Sequence, residues 1–392
     1  MSAWPRARLG DCAEIISGST PKTSVGDFWD GDVYWATPKD LSDLDGHVIT
    51  STSRTITAAG LGSCGASVLP SGSVLFSSRA PIGLVAVNTI PMATNQGFKS
   101  FVPRPNLLVS GYLAHWLRAN RKYLDSLGNG ATFKEVSKAT VSRVEIPLPP
   151  VPEQQRIAEV LDRADALRAN RREALALLEE LTQSIFLDMF GRHSSRTSWP
   201  LDELQSVVRK GTLVTYGIVQ AGDEVEGGVP YIRTGDLVDG GIRLDGLRHT
   251  APEIASKFQR STVVAGDLVI SIRATVGTTA MVPAVLTGAN LTQGTARIAP
   301  GDRVSPRYLL EYLRSADVQS WIKQQIKGAT FLEITLGRLR ELQVLLPPME
   351  LQEAFDERMR ERDRLRAAGR MDLCRLDDLF AALQQRAFAG EL

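Results

Sequence analysis

Cysteine is scarce in this chain of 392 residues: Cys12, Cys64 and Cys374 lie far apart, form no CxxC pair and make an odd count. That argues against a disulfide framework and against a structural zinc site. The four histidines (His47, His115, His193, His249) are scattered, with no metal-ligand spacing, so no metal is expected. No apolar run approaches the ~20 residues needed to cross a bilayer. The opening MSAWPRARLG has no apolar core of the signal-peptide kind. The expected compartment is therefore the cytoplasm, with no membrane partner. An excess of either charge is also missing, since 45 Lys and Arg stand against 44 Asp and Glu. A general polyanion coat is excluded; a nucleic-acid binder is permitted only if cations and anions occupy different faces.

What is present is a duplication. Trp4-Pro5 returns as Trp199-Pro200, and VYWATPKDL (33–41) as VPYIRTGDL (229–237), read with Tyr34 against Tyr231 and Asp40 against Asp236. SGSVLFSSRAPIGLVA (71–86) returns as AGDLVISIRATVGTTA (265–280), with Arg79 against Arg273 and Gly83 against Gly277. ATNQGF (93–98) matches NLTQGT (290–295), and YLAHWLR (112–118) matches YLLEYLR (308–314). GATF recurs at 130–133 and 328–331, and IPLPPVPEQQ (146–155) corresponds to LLPPMELQ (345–352). The offset stays between 194 and 198 residues and the order never changes. Two copies are too few for a solenoid. They predict two similar domains related by a pseudo-two-fold axis, an internal imitation of a symmetric dimer.

Within each copy, residues 68–87 and 263–282 alternate β-branched and small polar residues between Gly and Pro, the pattern of strands with tight turns. Residues 107–124 and 305–326 instead have helical spacing. The fold class is α+β: two mixed domains at 1–150 and 192–348, each ended by a Pro-Pro pair and followed by a long helix. The first helix, 151–191, carries Ile157, Val160, Ala164, Leu167, Ala174, Leu178, Leu181 and Ile185 in steps of three and four. The second, 349–392, does so through Leu351, Phe355, Met359, Leu365, Leu373, Leu376, Phe380 and Leu383. Pro152 suits a helix start and Gly191 a stop. At roughly forty residues each helix is about 55–60 Å long. The heptad pattern predicts an antiparallel intramolecular coiled coil, which must tolerate Arg171 and Gly369. Such a pair holds two domains a fixed distance apart, useful on duplex DNA where sites recur about every 34 Å.

The ordered, twice-repeated set of Trp-Pro, Thr-Pro-Lys-Asp-Leu and Arg-Thr-Gly-Asp-Leu, Ser-x-Arg-x-x-x-Gly, Gly-Ala-Thr-Phe and Pro-Pro-x-x-Glu-Gln resembles the specificity subunit of type I restriction-modification systems. The resemblance runs along the whole chain, with MELQ as a departure at the start of the second helix. It implies that each domain is a target-recognition domain reading one half of a bipartite, asymmetric DNA target, with the helices setting the gap. It implies double-stranded DNA, two methyltransferase subunits and a motor-nuclease subunit as partners. S-adenosylmethionine, and ATP with Mg, belong on those partners, and no cofactor and no catalytic residue is expected on this chain.

The residues agree with that division of labour. GLGSCG (60–65) spells G-x-G-x-x-G but lacks the strand and helix that a dinucleotide site requires. No GxxxxGK[ST], Asn-Pro-Pro-Phe or Asp-Pro-Pro-Tyr occurs, so neither a P-loop motor nor the usual adenine-methyltransferase site is visible. Arg, Lys, Gln and Asn on loops are the side chains that contact bases and phosphates. Arg79 and Arg273 recur, which suits phosphate clamping or, equally, an arginine bonding loop carbonyls. Gln96 and Gln293 recur and suit a turn. Lys39 against Gly235, and Arg233 against Ala36, differ between copies, as base-reading positions should and as neutral divergence also would. Lys134 and Lys327 flank the GATF segments and suit phosphates. Arg168, Arg172, Glu179, Arg358 and Arg362 lie on helix faces expected to be solvated or to meet a partner. Two other classes compete. A transferase would need a cofactor loop and catalytic dipeptide; a stand-alone regulator or scaffold would bind DNA without partners, or not at all.

Overall fold

The computed structural model describes residues 4–44, 46–130, 134–191, 199–238, 241–327 and 332–392. The chain divides into two compact units, Met1–Leu175 with Ala368–Leu392, and Ala176–Ala367. This division falls inside the two long helices rather than at their ends. The reason lies in burial: Ile157 and Leu161 join Phe380 and Ala387 in one apolar core, while Phe186 and Phe190 join Phe355 and Met359 in the other.

In the first unit a five-stranded sheet has the order 13–17, 99–103, 74–76, 85–88, 48–49. All neighbours are antiparallel except the last pair. A three-stranded sheet follows the order 55–56, 29–36, 93–94, and strand 6–8 pairs with 145–147. The second unit repeats the plan. Its four-stranded sheet runs 215–216, 295–298, 268–271, 279–281, its three-stranded sheet 248–250, 229–232, 290–291, and 201–203 pairs with 343–345. The first unit adds the edge strand Val48–Ile49, and the second adds the short pairing of Leu237–Val238 with Gly241–Ile242. The segments expected to be helical are helices, at Ser110–Ala119 and Arg121–Ser126, and at Pro306–Arg314 and Ala316–Gln325. Each carries a buried tyrosine whose hydroxyl donates to a carbonyl of the closing strand, Tyr112 to Pro147 and Tyr308 to Leu345, both at 2.8 Å. The Trp-Pro openings are placed alike: Leu148 N–H donates to Pro5 O and Leu346 N–H to Pro200 O.

The long helices span Val151–Phe186, followed by one π turn to Gly191, and Met349–Ala389. Within each unit their segments run in opposite directions. In the first unit Arg168 pairs with Asp377 and Arg171 with Asp372; in the second Glu179 pairs with Arg366. The inward register of the first helix differs from the expected one. Leu161, Arg168, Leu175 and Thr182 are buried or half-buried, whereas Leu167, Ala174 and Leu181 are exposed. Two stripes share Ala164, Leu178 and Ile185, and the more polar one turns inward because its polar members find partners on the other helix. Arg168 lies 4.3 Å above the Phe380 ring, and Thr182 bonds Arg362. The second helix keeps its expected inward residues apart from Leu365, which is exposed. Gly369 and Arg171 are accommodated together: a Cβ on Gly369 would sit 3.0 Å from Leu175 Cδ2 and 3.8 Å from Arg171 Cδ, so the bare backbone gives both side chains room.

Candidate nucleic-acid interface

Backbone hydrogen bonds bring the segments that carry the candidate residues of each unit together at one end of the strands. In the first unit Asn95 N–H donates to Ala36 O, Ser78 N–H to Gly97 O and Val136 N–H to Ser78 O, at 2.8–3.0 Å. The second repeats this with Thr292 to Ile232, Ile272 to Gly294 and Ile334 to Ile272, at 2.9–3.3 Å. Four distant segments thus lie side by side and carry Lys39, Gln96, Arg79 and Lys134 in one unit, and Arg233, Gln293, Arg273 and Lys327 in the other.

The strand register corrects the residue matching. Trp35 and Ala36 pair with Ala93 and Thr94, as Tyr231 and Ile232 pair with Asn290 and Leu291. Trp35 therefore answers to Tyr231 and Thr37 to Arg233; Tyr34 and Ala36 do not. The backbone N–H groups of Thr37 and Arg233 both donate to the aspartate three residues on, at 2.7 and 2.8 Å. Burial pushes the Asp40 carboxyl up, but hydrogen bonds from Thr37 and Ser53 outweigh it and hold it low.

Arg79 and Arg273 occupy equivalent positions. Among the described residues neither side chain bonds a loop carbonyl. Their guanidinium groups pair with carboxylates, Arg79 with Glu135 at 2.7 Å and Arg273 with Glu333 at 3.1 Å. Lys99 also reaches Glu135, at 3.2 Å. Burial raises the Glu135 carboxyl, yet the bonds from Arg79 and Lys99 carry it below the ordinary range. Ala274, directly after Arg273, has φ +59°, a left-handed conformation that costs a non-glycine residue energy.

The remaining candidates differ in how committed they are. Lys39 and Lys327 are exposed and form no ion pair among the described residues. Lys134 pairs with Asp125 at 2.7 Å. Arg233 chelates Asp236 through two bonds of 2.8–2.9 Å. Gln96 accepts from the Thr20 hydroxyl, and Gln293 donates its backbone N–H to Ile218 O. Residues 131–133 and 328–331 of the GATF segments lie outside the described residues. On the long helices, Arg168, Arg172, Glu179 and Arg362 bond other helix residues of their own unit, and Arg358 is exposed.

Sequence reasoning missed Glu135 and Glu333, whose signal was their equal distance from the GATF segments. It missed Gly18 and Gly217, where a Cβ would lie 1.9 and 2.0 Å from the Asn95 and Leu291 carbonyl oxygens. It also missed a meeting of two histidines. His47 and His115 Nε2 lie 3.1 and 2.7 Å from one oxygen of Asp162, a group whose ligand atoms fall within 4.8 Å of one another. Arg118 Nη1 lies 3.3 Å from His47 Nδ1 and 2.9 Å from Asp165. The arrangement is a hydrogen-bonded network joining the globular part to its own segment of the first helix. GLGSCG overlaps the short helix Ala58–Gly62, capped by the Thr57 hydroxyl, with Gly60 packed on the Phe28 backbone.

The family described as the type I restriction modification DNA specificity domain matches residues 1–181 and 204–365. The chain belongs to that family. Among relatives, the type I restriction enzyme MjaIX specificity subunit of Methanocaldococcus jannaschii is 37% identical over 48% of this chain and 44% of its own length. The EcoBI specificity subunit of Escherichia coli is 26% identical over 72% of this chain and 65% of its own. The chain thus spans less than two thirds of both relatives. A solved structure from work on assembly and conformational transition of the type I R-M system has a TM-score of 0.64 at 21% identity, covering 99% of this chain and 98% of that one. The type I restriction-modification S subunit from M. genitalium has a TM-score of 0.55 at 14% identity, covering 99% and 96%. These structures share the fold. Among the described residues no helix is long and apolar enough to cross a membrane.

Proposed function

We propose that this chain is a DNA sequence-specificity subunit of a type I restriction-modification complex and performs no catalysis itself. Each unit reads one half of a bipartite target, and the long helices set the gap between the halves. The observation that carries this reading is the duplicated meeting of segments. The same four segments meet in both units and keep Arg79 and Arg273, while Thr37 and Lys39 give way to Arg233 and Gly235. Shared phosphate contacts beside differing base contacts are what two half-sites of unlike sequence require.

The helices dock two methyltransferase subunits, which bring S-adenosylmethionine, and a motor-nuclease subunit with ATP and Mg joins for cleavage. Support for docking comes from apolar side chains rather than from the charged faces. Leu167 is 56% exposed in the first unit, and Leu177 is 59% exposed in the second. A partner seated on these helices would take such leucines out of water.

A methylome of the source strain, compared with a deletion of this gene, tests the reading. Loss of adenine methylation at a single two-part motif with a fixed gap is the expected result. An unchanged methylome in a strain whose methyltransferase subunits are active overturns it.

A further inference from the structure

In both units a carboxylate stands where a polyanion is to bind. Glu135 accepts from Arg79 Nε at 3.2 Å and Nη2 at 2.7 Å. Glu333 accepts from Arg273 Nε at 3.1 Å and Nη2 at 3.4 Å. Each glutamate is fixed by its own backbone, which exchanges both N–H···O bonds with Asn129 (2.9 and 3.0 Å) or Lys327 (3.1 and 3.0 Å). Arg79 and Glu135, and Arg273 and Glu333, also face each other as isolated β-bridges. The device is built twice from segments 56 and 60 residues apart.

A negative charge here repels DNA, so its repetition points to a compensating use. A guanidinium has five N–H donors in a planar fork. Glutamate takes the Nε and Nη2 edge, and among the described residues Nη1 has no partner in either arginine. The arginine side chains are 39% and 42% exposed. A long side chain held this way has less rotamer freedom to lose on binding, and its free donors are aimed in advance.

We propose that Glu135 and Glu333 are positioning residues, each orienting its arginine so that the free N–H face meets a phosphate of duplex DNA. The proposal rests on the DNA-reading role put forward above. It predicts an inverted electrostatic effect: removing the negative charge weakens binding to a polyanion.

The test uses the full chain assembled with its methyltransferase subunits and a fluorescent DNA duplex titrated across a salt series. Glu135→Gln and Glu333→Gln are expected to weaken binding about tenfold each, the scale of a misaligned charge-assisted contact. In an Arg79→Ala or Arg273→Ala background the same change is expected to add nothing. Arg79→Lys keeps the charge but not the fork, and is expected to lose as much as Glu135→Gln. It serves as the second variant should a glutamine variant fail to fold. Tighter or unchanged binding by folded glutamine variants, with weakening by the alanine variants, overturns positioning and leaves the DNA role standing. Unchanged binding by both alanine variants overturns the phosphate role and positioning together. No DNA binding by the wild-type assembly overturns the parent reading.

Discussion

Gln154 and Gln352 make the same three hydrogen bonds in their own units. Each side-chain carbonyl accepts a backbone N–H, from Val109 at 2.9 Å and from Ser305 at 2.8 Å. Each amide donates to the proline carbonyl five residues back, at 2.8 and 2.9 Å. The third bond goes to Leu107 O at 2.8 Å and to Arg303 O at 3.4 Å. The altered spelling at the start of the second helix therefore changes nothing where it matters. Both side chains are buried, so Gln154→Leu or Gln352→Leu strands backbone groups away from water. Each is expected to cost roughly 2–4 kcal/mol, read as a lower urea midpoint.

Arg273→Ala is expected to weaken DNA binding at every sequence tested. The slope of log K against log salt should flatten by about one unit, the share of one phosphate contact. Equal binding at all salt concentrations would show that this arginine serves Glu333 alone.

Equivalent positions on the buried helices hold His115 and Glu311, and they titrate in opposite senses. Burial lowers the His115 pKa from 6.5, against the pull of Asp162, so the folded state resists the proton that the unfolded chain accepts. Stability in the first unit is complete above 6.5 and falls as pH drops below it. Asp162 adds to this at lower pH: burial raises its pKa, but bonds from His115 and His47 win and hold it well below the carboxylate range. Burial raises the Glu311 pKa from 4.5, against Arg314, so the second unit gains stability as pH falls through that raised value. Hydrogen exchange followed from neutral to mildly acidic pH should show faster opening in the first unit and slower opening around Glu311. Parallel changes would refute the assignment.

The two kinds of helix residue predict separable outcomes. Leu181 is 42% exposed, and Leu181→Glu is expected to abolish co-purification with the methyltransferase subunits while stability changes by less than about 0.5 kcal/mol. Arg168 bonds Asp165 and Asp377 and covers Phe380. Arg168→Ala is expected to destabilise by about 1–3 kcal/mol. Thermal melts beside a pull-down check both.

The duplication, the class of each segment and the two long helices were legible in the sequence because they rest on local order and periodicity, which a single chain displays without folding. Arg79 and Arg273 were legible for the same reason, as repeats at a constant offset. The inward register of the first helix was not: two stripes compete there, and Asp377 and Arg362 on the other helix, which bond Arg168 and Thr182, decide between them. The matching of Trp35 with Tyr231 needed the strand register, since a one-residue slip leaves the surrounding residues similar while exchanging the faces. Glu135, Glu333 and the meeting of His47 with His115 depend on contacts across tens of residues, made by backbone hydrogen bonds that composition and spacing do not encode. The sequence by itself determined that one plan is written twice and which segments repeat; only the tertiary structure decided how the long helices are shared between the units, because their burial rests on distant partners, and which charges already pair with one another and which face outward.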